Sequence, residues 1–250
     1  MSPTRSFILS LLLILAATER AYCQGGPPLI GDDPGTPGSG KWEINTAFTF
    51  ERTPEKKTFE LPHVDLNYGL GDHIQLKYEV GYLLLDDRGS GWHNGVGNSI
   101  LGWKWRFLDE DRQGISMSIY PQLEINTPPG ITRRALVESG TNLFLPVEVA
   151  KTFGPWELDA ELGYEFQQHQ KDTWQAGFIV GYKATKQLEL LAEVRDIIDQ
   201  DFRRNDIIFN VGARWEFVDN VDLLLAAGRS VRNSDDSPTF LLYAGLRLNL

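Results

Sequence analysis

The sequence is short of cysteine, of excess positive charge and of motifs that bind phosphate or metal. Its 250 residues include 1 cysteine, and 34 acidic side chains outnumber 24 lysines and arginines, which gives a formal net charge of −10. This balance argues against nucleic-acid binding, because neutralising phosphates requires a basic surface. Phosphate-binding loops, dinucleotide motifs and Cys/His clusters with zinc spacing are also missing from the sequence. We therefore expect no cofactor and no metal.

Long apolar runs are missing too, apart from one at the N-terminus. That run, Phe7 to Ala17, is too short for a transmembrane helix, which needs about 20 apolar residues. Small residues at Ala21 and Cys23 predict cleavage after Cys23, so residues 1–23 form a secretory signal peptide. A lipoprotein signal with an acylated Cys23 is the alternative, and the bulky Tyr22 argues against it. After cleavage the chain has no cysteine, so disulfides cannot stabilise it.

From Trp42 to the last residue, apolar and polar residues alternate with a period of two. The clearest case is Trp156 to Gln167, where the even positions are apolar and the odd positions are acidic, polar or glycine. Successive side chains of a strand point to opposite faces, so each such segment has one apolar and one polar face. We count twelve of these segments, at residues 42–51, 58–69, 73–84, 96–107, 115–126, 142–153, 156–167, 174–184, 188–197, 206–217, 221–232 and 239–250.

The connections between these segments alternate between short and longer. Gly154-Pro155 is a short turn, for example, whereas residues 85–95 and 127–141 form longer polar loops. The strands match the roughly 9–11 residues that a tilted transmembrane strand needs. An even strand number with alternating loop lengths is typical of outer-membrane barrels whose termini are both periplasmic. The sequence predicts an all-β fold, a transmembrane antiparallel up-and-down β-barrel of about 12 strands over residues 41–250.

Two features favour a membrane barrel over a water-soluble sandwich, in which the apolar face would turn inward. The strands are longer than the usual 5–6 or so residues of soluble sheets. Aromatic residues also lie at the ends of the apolar faces, as in interfacial girdles: Trp42, Phe107, Phe153, Trp156, Trp174, Tyr182 and Phe217. A lysine or arginine that faces lipid at mid-membrane costs about 2–4 kcal/mol, so the charged faces must line the lumen.

A few residues break the pattern. Lys151 and Arg229 fall on the lipid face, but both lie near strand ends, where a long side chain can reach the interface. Pro62, Pro121 and Pro146 lie inside predicted strands, and proline removes a hydrogen-bond donor from the ladder. We expect β-bulges at these three prolines.

Charged side chains on the inner faces are the candidate pore-lining residues. Twelve tilted strands give a backbone diameter of roughly 24 Å, which side chains narrow to about 10 Å or less. Such charges either line a pore for small solutes or pair across the lumen of a closed barrel, and both interpretations stay open. The candidates are Asp65, Lys77, Glu79, Lys104, Arg106, Glu124, Glu148, Glu157, Asp159, Glu161, Lys183, Glu189, Glu193, Arg195, Arg214 and Arg247.

Residues 24–40 are rich in glycine and proline and have no periodicity. This composition predicts a flexible periplasmic leader, and a plug of the lumen is the alternative. The leader is too short to form the plug domain of an energised receptor, so transport through the barrel is expected to be passive.

Catalytic motifs are weak. His93 and His169 lie near the predicted outer loops, and with aspartates such as Asp87 and Asp201 they would imitate the Asp/His site of an outer-membrane protease. No serine–histidine motif of a barrel lipase is apparent. We expect no enzymatic activity. The alternatives to a channel are a hydrolase with a site in the extracellular loops and a closed structural or adhesion barrel.

Three short motifs resemble known outer-membrane proteins. The last residues, 243–250, resemble the terminal insertion signal of bacterial barrels, with Leu250 in place of the usual aromatic residue. Residues 32–38 (DDPGTPG) followed by WEIN at 42–45, together with the glycine-rich segment 95–107, resemble the outer-membrane family named for the MetA pathway of phenol degradation. Residue 98 in that segment is asparagine, where the family usually has aspartate.

The resemblance implies uptake of small molecules, aromatic or apolar ones among them, and it supplies no catalytic residues. We therefore predict an outer-membrane channel for passive passage of small solutes. The partners expected are the small-molecule solute, outer-membrane lipid and the barrel-insertion machinery, with no nucleic acid.

Overall fold

A computed structural model describes residues 26–126, 136, 140–232 and 237–250. The predicted signal peptide and most of the predicted loop 127–141 lie outside these residues. The strands are β1 (Trp42–Arg52), β2 (Lys56–Gly69), β3 (Ile74–Asp87), β4 (Gly91–Leu108), β5 (Ser116–Ile119), β6 (Gln122–Ile125), β7 (Asn142–Phe153), β8 (Trp156–Gln167), β9 (Thr173–Lys183), β10 (Leu188–Asp199), β11 (Asn205–Val218), β12 (Val221–Ser230) and β13 (Phe240–Asn249). One helical turn, α1 (Glu110–Gln113), connects β4 to β5.

The strands form a closed antiparallel sheet. Strands that are consecutive in the chain pair with each other, and β1 pairs with β13 from Glu43 opposite Asn249 to Arg52 opposite Phe240. The short strands β5 and β6 together fill one position between β4 and β7. The predicted up-and-down barrel of 12 strands is thus confirmed. Over the described residues, the chain contains no helix with the length and apolar character of a membrane span.

The alternation of side chains also agrees with the prediction. On β8 and β9 the outward Leu162 and Phe178 are 55% and 48% exposed, whereas the inward Glu161 is 5% exposed. At the end of the barrel with the short turns, Trp156 packs against Tyr182 with ring centroids 4.6 Å apart. Apolar groups therefore cover the outside of the barrel, and the charged groups lie within it.

The prolines behave in two ways. At Pro62 the predicted bulge is confirmed, because Leu61 and Pro62 together oppose a single residue of β1 between the pairs Ala47–His63 and Thr49–Glu60. At Pro121 and Pro146 the prediction of bulges is wrong: the register of β7 against its neighbours runs through both without a shift. The missing proline donors only interrupt the ladder there, which divides the predicted strand 115–126 at Tyr120 and Pro121.

The predicted long loop 85–95 is also wrong, because β3 and β4 continue pairing up to Asp87 opposite Gly91. The carboxylate of Asp87 accepts hydrogen bonds from the N–H groups of Gly89 and Ser90 at 2.7 and 2.9 Å, which closes a tight turn. A bulge on β4, where Gly97 and Asn98 together oppose Gly81, shifts the alternation between residues 85–95 and the strand predicted at 96–107.

The two lipid-face cations lie as expected near strand ends. The ammonium group of Lys151 donates a hydrogen bond to the carbonyl oxygen of Gly114 and lies 5.4 Å from the ring centre of Phe153. Arg229 is exposed, and its Nε donates to the carbonyl of Ser230 at 3.2 Å. Both side chains turn along the strand end, which spares them from facing hydrocarbon.

Candidate functional site

The leader lies inside the barrel. The sequence predicts a flexible periplasmic segment at residues 24–40, but residues 26–40 form contacts with the inner wall over most of their length. Asp33 is 5% exposed, and Gly26, Pro28 and Leu29 are buried as well. The segment is fixed because its backbone N–H and C=O groups find charged partners on the wall, and it plugs the lumen.

Two glutamates of the wall accept hydrogen bonds from the backbone of this plug. The N–H groups of Ile30 and Gly31 donate to the two carboxylate oxygens of Glu193 at 3.1 and 2.7 Å. The N–H of Asp32 donates to Glu161 at 3.4 Å. Gly31 is suited to this contact, because a Cβ there would lie 3.1 Å from a carboxylate oxygen of Glu193. Charged acceptors of this kind form stronger hydrogen bonds than neutral ones.

Cations of the wall bind the carbonyl oxygens and a carboxylate of the plug. Arg214 donates to the carbonyls of Gly26 and Pro27 at 3.1 Å each, and Arg247 donates to Pro27 at 3.1 Å. Lys104, which is 1% exposed, lies 2.9 Å from a carboxylate oxygen of Asp32 and also binds the carbonyl oxygen of Asp33.

The two carboxyl groups of the plug differ in acidity. Burial raises the pKa of Asp32, but the positive charges of Lys104 and then Lys77 outweigh it and hold that pKa below its ordinary value. Burial raises the pKa of Asp33, and the charge of Lys104 offsets this only in part. Asp32 is therefore the stronger ionic contact between plug and wall.

An apolar anchor completes the plug. Leu29, 7% exposed, packs with the wall residues Ile179, Leu191 and Ala226, and Tyr243 borders the cluster. This patch was not among the residues predicted for the lumen, because the inner face was expected to be polar throughout. The signal was present: Ile179 and Leu191 occupy inner positions of β9 and β10.

All the charged residues that the sequence proposes for the lumen lie on the inner side of the wall. The group around the plug contains Lys104, Glu148, Glu157, Asp159, Glu161, Glu189, Glu193, Arg195, Arg214 and Arg247. A second group, on β2, β3 and β6, contains Asp65, Lys77, Glu79 and Glu124, and its Lys77 also faces Asp32 of the plug. The last two, Arg106 and Lys183, lie near the short turns, where Arg106 donates to the carbonyl of Asp72 at 2.8 Å.

Many of these charges form ion pairs within the lumen. Arg195 lies 2.8 Å from Glu161, and Lys77 lies 2.7 Å from Glu79 and 3.5 Å from Asp65. The pairing of charges, one of the two interpretations left open by the sequence, thus occurs in both groups. Each pair satisfies buried charges that would otherwise be costly to desolvate.

Beyond the plug the lumen contains a cavity of about 130 Å³. Its polar lining is formed by Glu60, His63, Glu79, Asn98 and Glu124, and its apolar lining includes Leu83 and Ile100. The Nδ1 atom of His63 lies 2.9 Å from Glu60, and its Nε2 atom lies 3.8 Å from Glu79.

The sequence analysis did not propose Glu60 and His63, because residues three apart on a regular strand lie on opposite faces. The bulge at Leu61 and Pro62 places one extra residue outside, so that both Glu60 and His63 point into the lumen. A proline inside a predicted strand was therefore the available signal.

At the end away from the short turns, a leucine cluster narrows the lumen. Leu136 packs against Leu83 and Leu85 of β3, and all three are at most 8% exposed. Leu136 belongs to the predicted long loop 127–141, and this residue lies against Leu83, which also lines the cavity.

Among the described residues, the outer-loop histidine His93 contacts a serine rather than one of the aspartates considered from the sequence. The Nε2 atom of His93 lies 2.8 Å from the hydroxyl of Ser90 in an exposed turn. Within the described part of the chain, no hydrogen bond or ion pair joins His93 or His169 to a carboxylate. The same part of the chain contains no group of three or more His, Cys, Asp or Glu side chains arranged to hold a metal.

The architecture matches known outer-membrane proteins. The outer membrane channel of the COG4313 group from Pseudomonas putida F1 superposes with a TM-score of 0.75 and 16% identity, over 89% of this chain and 100% of that chain. The KdgM porin in complex with disordered oligogalacturonate superposes with a TM-score of 0.55 and 11% identity, over 82% of this chain and 98% of that chain. At these identities the likeness shows a shared fold.

No curated protein sequence matches the chain significantly. The sequence model of the family described as putative MetA-pathway of phenol degradation matches residues 28–248, a span that covers nearly all of the plug and of the barrel. The chain therefore belongs to the putative MetA-pathway of phenol degradation family of outer-membrane barrels.

Proposed function

We propose that the protein is a passive outer-membrane channel for small solutes and that the leader is its gate. The observation that carries this proposal is the nature of the obstruction: a segment of 15 residues, 26–40, held by side-chain contacts. Such a segment can leave the lumen without unfolding the sheet, because the barrel is closed by its own strand pairs. Charged side chains on the wall around the plug and along the cavity suit a water-filled path.

The cavity supports small solutes as the transported class. Its volume of about 130 Å³ is close to the roughly 150 Å³ of an engineered cavity that holds benzene. Leu83 and Ile100 offer apolar contacts, while Asn98 and the three glutamates offer hydrogen-bond partners. A single aromatic ring with a polar substituent fits this lining, in keeping with the family's description.

The proposed path runs from the outer loops through the cavity, past the displaced plug and into the periplasm. The short turns, the start of β1 and the end of β13 lie at the same end of the barrel, since Trp42 and Leu250 exchange backbone hydrogen bonds at 2.9 Å. We assign that end to the periplasm, as in other outer-membrane barrels. The partners are then the solute, the surrounding outer-membrane lipid and the barrel-insertion machinery, and no energy coupling is involved.

Conductance and flux measurements test the proposal. In a planar bilayer the purified protein should show brief stepwise openings, and a variant without residues 26–36 should stay open. Liposomes with that variant should admit small phenolics and sugars faster than liposomes with the full chain. Heat-dependent gel mobility verifies that each sample is folded. A folded variant without the leader that neither conducts nor admits any solute would overturn the channel assignment.

The ion pairs of the lumen give a second test. Glu161→Lys places a cation beside Arg195 and Asp32, and Arg106→Glu reverses a charge near the short turns. Each should change the ion selectivity of the open state in the direction of the new charge. Unchanged selectivity in both variants would mean that current does not pass through the lumen.

A further inference from the structure

A row of side chains crosses the rim of the barrel at the end opposite the short turns. It contains one residue from each of six neighbouring strands, and each member lies opposite the next across the ladder. Arg229 and Phe240 follow directly on the pair Gly228–Leu241. In order from β12 to β4 the members are Arg229, Phe240, Arg52, Lys57, Asp86 and Trp92. We call this row the cationic rim, because it holds three cations and one carboxylate in a chain whose formal net charge is −10.

The cationic rim faces away from the lumen. The hydroxyl of Thr49 donates to the cavity residue Glu60 at 3.3 Å, so both of these side chains point inward. Arg52 and Lys57 lie three residues from them along β1 and β2 and pair with each other, which places both on the outer face. Arg229 lies on the lipid face of β12 and is exposed. The cations of the rim therefore point toward the surrounding bilayer.

Aromatic rings lie next to the cationic rim, toward the middle of the strands. Phe50 precedes Arg52 by two residues on the same face, and its ring centre lies 4.7 Å from that of Phe59 and 6.1 Å from that of Phe240. Trp92 stacks on Phe59 with the ring centres 6.1 Å apart. These four rings, the aromatic shelf, form a continuous apolar surface from β13 to β4. Such a surface suits the upper part of an acyl chain, just below the head groups.

The arginines of the rim have hydrogen-bond donors to spare. Within the described part of the chain, Arg52 forms no ion pair, and the guanidinium of Arg229 bonds through Nε to the carbonyl of Ser230. Lys57 lies 3.2 Å from Asp86, but its side chain is 48% exposed. A guanidinium group presents a planar fork of N–H donors that matches the oxygens of a phosphate. The rim therefore offers positive charge to an anion from outside the chain.

The same strands end differently at the other rim of the barrel. There Trp42 of β1 lies opposite Tyr68 of β2, Tyr68 lies opposite Leu76 of β3, and Leu76 lies opposite Trp103 of β4. Leu250 adjoins Trp42 through the backbone hydrogen bonds that close the barrel. These five residues are uncharged, as in an aromatic belt that fits any lipid. Positive charge on the lipid face of these strands thus distinguishes one leaflet from the other.

We propose that the cationic rim and the aromatic shelf bind a lipid of the outer leaflet whose head group carries two phosphate groups. Arg52 and Lys57 bind one phosphate, Arg229 binds the other, and acyl chains lie against Phe50 and Phe59. Arg52 and Arg229 lie on strands that are two positions apart in the sheet, a distance of about 10 Å, so one head group spans both. The choice of leaflet rests on the orientation proposed above, whereas the binding does not depend on whether the lumen conducts.

Native mass spectrometry of the purified protein in a maltoside detergent tests the proposal. The probes are lipid A, which carries two phosphates on a disaccharide, its monophosphorylated form and its dephosphorylated form, all with the same acyl chains. The Kd should rise by about tenfold with each phosphate removed, because each loses a charged hydrogen-bonding partner. Arg52→Gln and Arg229→Gln should each weaken binding of the bisphosphorylated form by about tenfold. In Arg229→Gln the bisphosphorylated and monophosphorylated forms should bind within about twofold of each other, because the second phosphate has lost its partner.

Arg203→Gln is the matched control for the arginine variants. Arg203 lies at the same end of the barrel, between β10 and β11, and its side chain is 83% exposed and away from the aromatic shelf. Its loss should leave the Kd for lipid A within about twofold of the unaltered value. Phe59→Ala should weaken all three forms alike. Heat-dependent gel mobility verifies folding, and the arginine variants change exposed side chains, so they still decide if Phe59→Ala does not fold.

Four results would overturn the inference. They are equal affinity for the phosphorylated and dephosphorylated forms, a loss in Arg203→Gln as large as in Arg229→Gln, displacement of lipid A by an equal concentration of inorganic phosphate, and labelling of a Gly89→Cys variant by an impermeant maleimide only in broken cells. The last would place the rim in the periplasm, because Gly89 lies in the turn between β3 and β4 at this end. A protein that binds lipid A as expected but never conducts keeps this inference and loses the channel.

Discussion

The lumen has a lower half, near the short turns and occupied by the plug, and an upper half, which contains the cavity. Both halves are built by the same alternation of residues, yet they differ in what fills them. In the lower half, Lys104, Glu161 and Glu193 are at most 5% exposed, and all three bond to the plug. In the upper half, Glu60 and Glu79 retain side-chain exposures of 27% and 19% and border an open cavity. Alternation therefore decides which way a residue faces, while contacts with a distant segment decide whether the space is occupied.

The largest effect on this contrast is expected from Lys104→Met. Lys104 is buried between Asp32 of the plug and Glu148 of the wall, 2.9 and 3.5 Å away. Removing one partner of a buried ion pair costs about 3–5 kcal/mol, because the remaining charges are left unpaired. Much of this cost falls on the closed state, so the open probability in a planar bilayer should rise by about 100-fold or more.

Lys171→Met is the matched control for that variant. Lys171 lies 3.1 Å from Asp201, but its side chain is 56% exposed, and exposed pairs contribute about 1 kcal/mol or less. The open probability of Lys171→Met should stay within about twofold of that of the unaltered protein. Equal effects of the two lysine variants would mean that burial against the plug is not what closes the lower lumen.

A smaller effect is expected from Leu29→Ala, which removes the apolar anchor of the plug. Leu29 is 7% exposed against Ile179 and Leu191, and losing most of such a side chain costs about 2 kcal/mol or more. Open probability should rise by roughly 30-fold. The neighbouring Ile30 is 47% exposed, so Ile30→Ala should have little effect on gating, and a reversed order of the two would contradict the assigned anchor.

The contrast between the two halves also shows which features of the fold and of the site could be predicted from the sequence. The alternation of apolar and polar residues, together with the energetic cost of a charge in lipid, predicted the strand positions, the inner charges and the closure of the barrel. Both signals can be detected within a single strand segment. The plug was only the alternative to a flexible leader, because its partners are remote: Glu193 and Gly31 are 162 positions apart, and a glycine- and proline-rich segment carries no periodicity that points to them. The cavity was missed because the bulge at Pro62 was predicted without its consequence for Glu60 and His63.

Gly31→Ala tests the fit of the plug with a single methyl group. The added Cβ would lie 3.1 Å from both Glu193 and Ile179, and the glutamate oxygen it meets is the one that accepts the Gly31 N–H. Relieving such a contact typically costs about 1 kcal/mol, so the open probability should rise roughly fivefold. In Gly177→Ala the nearest atom is 3.5 Å away, an ordinary contact, and gating should not change. An equal open probability in the two glycine variants would show that the plug has room for a methyl group at Gly31.

The smallest effect is expected in the upper half, where Glu124→Gln removes one charge from the cavity wall. Glu124 bonds to the amides of Asn98 and Asn142, and these bonds survive in part with glutamine, so folding and open probability should be unaffected. The cation preference of the open state, measured from reversal potentials, should fall by about twofold or less at 1 M salt and by more at 0.1 M, because salt screens charges that border water. Glu216 is exposed at the short turns, so Glu216→Gln should leave the cation preference unchanged.

A change in cation preference that does not depend on salt concentration would mean that Glu124 is shielded from water. The upper half would then be closed like the lower half. No change at any salt concentration would instead remove the cavity from the path of the ions.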